Sequence, residues 1–448
     1  MRHRFVFSKI LVAALFVAGT AYAQSPDADP TAVPAVEQPA TPFVAGFRGA
    51  LYAGDLAGAR AMAEAALGND ADDETARFAV GAAQFLGAVE GLGQGFYRHG
   101  LGNRFQARPG GMSALPMLRL PVPPNSDPDE LTYRGLREIL SDFATDLAEA
   151  ERTLADVGEG AIDLPLHLGR VRLDMDADGS GAEHEQLSAV LATLIQPNRR
   201  FRPSEAPDPA MMELYVDFDQ SDALWLQSYA NVLMGLSEFI LAHDWEDAFD
   251  ATFPGLFPMP SAPNGGLNES LDAASGQSPP FLDRAEMAMV ADLIAFIHLM
   301  HWDVAEPERM ARVLAHFEAM VALSRENWER ILAETDDHAE WLPGPHQTGA
   351  LPGATVSQDA VDGWHLALDE IEAVLAGRKL LPHWRFDGRG INLRRLFLEP
   401  RTFDLLLLIQ GAGAIPYLEE GDLTTGETWG DINRLLDNEL MGYAIWFN

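Results

Sequence analysis

Apolar residues three and four positions apart recur along most of this 448-residue chain, and that spacing commits it to helices. Leu131, Leu136, Ile139, Leu140, Phe143 and Leu147 form one such stripe, which predicts a helix over 129–155. Two alanine-rich segments on either side of residues 68–74 predict an antiparallel helical hairpin between 43 and 101. Further helices are expected within 213–245 after a short extended piece, after the capping box of Asp283 and Glu286, over 307–334, near 359–376 and twice more before the C-terminus. The exception is 380–400, where Asp387-Gly388 predicts a small β-hairpin. The expected fold class is therefore mainly α, a multi-helix array.

A Pro-rich joint, PNRRFRPSEAPDP, covers 197–209, and all nine tryptophans, from Trp225 to Trp446, lie beyond it. This asymmetry predicts two helical regions, 42–205 and 206–448, with the larger aromatic core in the second.

The charge is unusual. Lys and Arg total 31 against 67 Asp and Glu, a net charge of −36. Such a surface repels phosphate backbones and anionic headgroups, which argues against nucleic acid or a bilayer surface as the main partner and favours cations. Only Lys9 and Lys379 are lysine, so the positive charge is almost all arginine.

The N-terminus carries Arg2, Arg4 and Lys9, then the apolar run ILVAALFVAGT and then Ala21-Tyr22-Ala23. This is the pattern of a secretory signal peptide, residues 1–23, cleaved after Ala23, and it predicts a periplasmic or extracellular address. Residues 24–41, rich in Pro, Ala and Asp, are expected to be a flexible leader. Cleavage would leave 28 basic and 67 acidic residues, a net of −39. There is no cysteine, which excludes disulfides, thiol nucleophiles and thiolate metal sites. No transmembrane span is expected after cleavage, and the most apolar stretches, 285–302 and 405–409, are expected to be buried helices.

One motif is specific. Residues 174–185 run D-M-D-A-D-G-S-G-A-E-H-E, with Asp174, Asp176, Asp178, Gly179 and Glu185 at the spacing a wrapped calcium loop requires. Over these twelve residues the chain resembles an EF-hand. The resemblance implies calcium, held by carboxylate oxygens of Asp174, Asp176 and Asp178, the backbone carbonyl of Ser180, a water opposite Ala182 and both oxygens of Glu185. Leu187, Val190, Leu191, Leu194 and Ile195 predict the outgoing helix. On the incoming side, Asp163 and Pro165 favour a short helix, while the alternation Leu164, Leu166, Leu168 fits a strand. Gly181 stands where EF-hands carry an aliphatic residue, and no second full loop is present, since 216–222 has Asp217 and Asp219 but no glycine or closing Glu. A weak site is expected, with Kd on the order of 10⁻⁴ M and a mainly structural ion.

Other features are less specific. His298 and His301 are expected one turn apart on a helix. Gly91, Gly93 and Gly95 are expected at close helix packing. Residues 378–401 hold seven basic against two acidic residues. There His383, Arg385, Arg389, Arg394 and Arg395 are candidates for an anion site, the basis of an alternative reading as an extracytoplasmic enzyme or solute-binding protein.

Overall fold

A computed structural model describes residues 40–101, 120–188, 213–265, 284–351 and 355–448. The signal peptide, nearly all of the leader, Asp283, the outgoing stripe from Val190 onward and the Pro-rich joint lie outside the described residues.

Among those residues the chain is mainly helical. The N-terminal part comprises α1 (Pro42–Ala53), α2 (Leu56–Asn69), α3 (Glu74–Arg98) and α4 (Tyr133–Ala155). The hairpin expected from sequence thus contains three helices. The additional break falls at Gly54, whose φ of +76° ends α1, and Asp55 caps the next helix by accepting the Gly58 N–H. Strand β1 (Leu164–His167) follows, and it pairs antiparallel with β2 (Tyr215–Phe218) in the register Leu164↔Phe218.

Beyond β2 come α5 (Gln220–Ala242), β3 (His243–Asp244), α6 (Glu246–Thr252), α7 (Arg284–His298), β4 (His301–Val304), α8 (Pro307–Ala333) and α9 (Gln358–Leu375). The chain ends with β5 (Leu381–Pro382), β6 (Arg389–Ile391), α10 (Leu393–Leu398), β7 (Phe403–Asp404), α11 (Leu405–Gln410), β8 (Leu418–Glu420), α12 (Gly426–Leu435) and α13 (Leu440–Trp446). Strand β6 pairs antiparallel with both β5 and β8, and β4 with both β3 and β7.

Helices α5 and α8 run antiparallel through the middle. Ser228 Oγ donates to the Met320 carbonyl, Asn231 meets His316 at 2.9 Å, and Glu238 accepts from Arg309 and Arg312. These polar residues of α5 are buried, and each has a partner, as low-dielectric burial demands. Against α8 lies a core containing Trp328, Trp364 and Phe447, with Trp364 Nε1 donating to Ser324 Oγ at 3.0 Å. A second core packs α1–α3 around Phe47, Leu51 and Phe78, and takes in Leu164, Val171, Leu173 and Met175. The regions on either side of residue 205 are joined by the β1–β2 pair and by α5, whose Gln227 donates to Glu151 of α4.

Two sequence expectations are corrected here. The apolar helices α7 and α11 are buried on one face only: Leu405 is in the core and Phe296 and Ile297 pack against it, but Met287, Val290, Leu293 and Ile294 of α7 and Leu406, Leu407 and Ile409 of α11 are exposed. An apolar composition does not create a partner for every face of a helix. Among the described residues no helix is long and apolar enough to cross a membrane. His298 and His301 do not share a helix, because α7 ends at His298 and His301 opens β4, where its Nδ1 lies 2.8 Å from Asp404 Oδ2.

Candidate metal centre

The loop 174–185 leaves the α1–α3 core through a strand and a 3₁₀ turn, β1 and Leu168–Arg170, so the incoming side takes the strand alternative and not the helix. Its two ends pair with each other. Arg172 forms an antiparallel bridge with Gln186, and the Leu187 N–H donates to the Val171 carbonyl at 2.9 Å. A 3₁₀ turn, Glu183–Glu185, follows.

Inside the loop the acidic side chains fold back onto the backbone. Asp174 accepts the Asp178 N–H on Oδ1 and the Gly179 N–H on Oδ2, both at 3.0 Å. Glu185 accepts Met175 N–H at 2.7 Å on Oε1 and Ala182 N–H at 2.7 Å on Oε2. Gly179 has φ +90°, the left-handed conformation that glycine enters without strain. Ala177 also lies in that region, at φ +58°, where a Cβ costs about 1–2 kcal/mol. Ala177→Gly is therefore expected to raise stability by about 1 kcal/mol, read from the chemical-denaturation midpoint.

Asp174, Asp176 and Glu185 bring carboxylate oxygens within 4.8 Å of one another. Glu185 is 1% exposed, and burial raises its pKa and that of Asp176, with neighbouring carboxylates adding to the effect. Among the described residues no arginine or lysine is paired with any of the three, although the chain makes many such pairs elsewhere. Three converging carboxylates with spare lone pairs and no arginine or lysine partner are a donor set that fits a hard divalent ion. Asp178 is outside this group. It is exposed, and its Oδ1 accepts the Ser180 N–H at 2.9 Å.

Helix α3 faces the loop, which the sequence pattern did not announce. Glu90 Oε2 accepts the Asp174 N–H at 2.7 Å, and Gln94 Nε2 donates to the Asp174 carbonyl at 2.7 Å. Burial, together with Asp174 and Glu185, pushes the Glu90 carboxyl up to about 7. A Cβ on Gly93 would stand 2.2 Å from Met175 Sδ, so that glycine makes room for the loop. Gly181 has a similar reason: its Cβ would lie 2.9 Å from the Cα of Gly54, where the loop touches the α1–α2 corner. The residue that weakens the loop by EF-hand standards permits its docking here.

A second carboxylate group has no motif. Asp219 at the start of α5, Glu334 after α8 and Glu340 in the following loop also bring oxygens within 4.8 Å of one another, with Asp222 buried beside them. Burial is the main cause that pushes Glu334 to about 7 and Glu340 to about 8, and it raises Asp222 well above the usual range. Asp219 stands out in the sequence, but nothing in it points to partners more than a hundred positions away.

No family model, curated protein or solved structure matches the chain.

The Arg-rich stretch is largely self-satisfied. Arg394 pairs with Glu318 at 2.6 Å, and Arg395 with Glu399 at 2.7 Å and Glu419 at 3.1 Å. Arg378 pairs with Glu372, and Lys379 with Glu370. Arg389 donates to the Leu418 carbonyl, Arg385 stacks over Trp384 at 4.3 Å, and the His383 ring nitrogen Nε2 is 3.1 Å from the Leu408 carbonyl.

Proposed function

We propose that this chain is an exported protein, periplasmic or extracellular, in which the EF-hand-like loop 174–185 binds calcium in a mainly structural role. The observation that carries this reading is the convergence of Asp174, Asp176 and Glu185, with no arginine or lysine among the described residues paired to them. Further support comes from the motif spacing, from Gly179 in its left-handed turn, and from the docking of the loop against α3. A bound calcium ion supplies positive charge that offsets the mutual repulsion of these carboxylates. Asp178 and the Ser180 carbonyl complete the donor set in this reading. The signal-like N-terminus fits a compartment in which calcium is plentiful and phosphate-bearing partners are few.

The alternative, an enzyme or solute-binding protein with an anion site at His383, Arg385, Arg389, Arg394 and Arg395, has less support. Arg394 and Arg395 already have carboxylate partners, and a guanidinium so engaged is a poor anion trap.

Calorimetric titration of the purified protein with Ca²⁺ tests the main reading. Binding with Kd on the order of 10⁻⁴ M is expected. At about 100 times that concentration the folded state gains about 2.7 kcal/mol, visible as a rise in the thermal midpoint. Absence of both heat and thermal shift overturns it.

A further inference from the structure

We propose that α3 forms the second half of the calcium site, with Glu90 and Gln94 acting as positioning residues, so that cation binding and the docking of α1–α3 onto the loop are one coupled equilibrium. This rests on the calcium reading above.

Asp174 is the first residue of the loop. Its N–H is accepted by Glu90 and its carbonyl receives Gln94, so the peptide on each side of the Asp174 Cα is held by α3. Glu90 and Gln94 lie one turn apart, and Gly93 between them admits Met175, which is 4% exposed. At the opposite side the Arg172 N–H donates to the Leu51 carbonyl at the end of α1, and Gly54 meets Gly181 backbone to backbone. The loop is thus clamped between α3 and the α1–α2 corner.

The clamp and the ion share Asp174. Docking α3 fixes the backbone of the residue whose carboxylate converges with those of Asp176 and Glu185. The closed arrangement therefore presents the three carboxylates together and binds the ion more tightly than the open one. Linkage then requires the converse: ion binding must stabilise the docked α1–α3.

Amide hydrogen exchange of the full chain, with and without calcium at about 100 times its Kd, tests the coupling. Exchange over 42–98 is expected to slow at least about tenfold on adding calcium, while 307–333 changes little. Gln94→Ala is expected to raise the calcium Kd about five- to tenfold and to lose most of that protection. Glu90→Gln keeps an oxygen acceptor for the Asp174 N–H and is expected to retain the protection, whereas Glu90→Ala loses it. Calcium heat in the wild type with unchanged exchange over 42–98 overturns the coupling and leaves calcium binding standing. No calcium heat at all overturns the calcium reading and this one with it. The wild-type comparison needs no variant, so a substitution that fails to fold does not block the test.

Discussion

Glu185→Ala is expected to abolish the response to calcium and to lower stability even in a chelator. Glu185 is almost fully buried, and its two oxygens accept the N–H groups of Met175 and Ala182. Truncation leaves the Ala182 amide without its acceptor, at about 1–3 kcal/mol, leaves Met175 N–H only the Leu173 carbonyl, and opens a cavity. Removing the repelling charge from beside Asp176 offsets part of this, so a net loss of roughly 2–4 kcal/mol is expected in denaturant titrations. Glu185→Gln separates the two roles. It keeps one carbonyl oxygen for the loop amides and should lose less stability, yet it removes the charge and the bidentate ligand, so calcium binding should weaken by roughly 100-fold, about 2.7 kcal/mol. Asp174→Ala should lose calcium equally, because both its oxygens organise the turn at Asp178 and Gly179. Wild-type calcium affinity in Glu185→Gln would refute the assignment of this residue.

The second large effect is on pH. In a chelator, stability is expected to fall as pH rises from about 5 to about 8. In the unfolded chain the carboxyls concerned lose their protons near their ordinary values. In the folded chain Glu340 holds its proton to about 8 and Glu334 to about 7, chiefly because both are buried among like charges, and Asp217 nearby is raised to about 6. Between those limits the native state binds more protons than the unfolded state, so each unit of pH costs about 1.4 kcal/mol per group. The stability is fully present below the unfolded values and is lost by about pH 8. The groups share one acidic neighbourhood and do not titrate independently, so the total is on the order of 3–5 kcal/mol. Glu340→Gln should flatten the profile, because its amide oxygen can still accept the His338 N–H and carries no charge. Urea midpoints measured from pH 5 to 8 check this. A midpoint that is level or rising across that range contradicts it.

Much of the helical architecture was legible from apolar spacing. The stripe through Leu136, Phe143 and Leu147 is buried in α4, and the predicted helices at 307–334 and 359–376 appear as α8 and α9 within a residue or two. The break at Gly54 was less legible, since alanine-rich sequence continues through it; the left-handed turn there also lies against the loop at Gly181. Period alone also overstated the burial of α7 and α11, because a helix face is covered only if another element reaches it.

The sequence by itself determined the mainly helical class and offered three aspartates, a glycine and a glutamate at the spacing of a calcium loop, of which Asp174, Asp176 and Glu185 converge. Tertiary structure alone decided what surrounds them. It set Glu90 and Gln94 of α3 on the backbone of Asp174, gathered Asp219, Glu334 and Glu340 from distant elements into one acidic neighbourhood, and gave Arg394 and Arg395 the carboxylates of Glu318 and Glu419. Such contacts join residues separated by tens to hundreds of positions. Their energies depend on burial and on neighbouring charge, and neither quantity exists until the helices have packed.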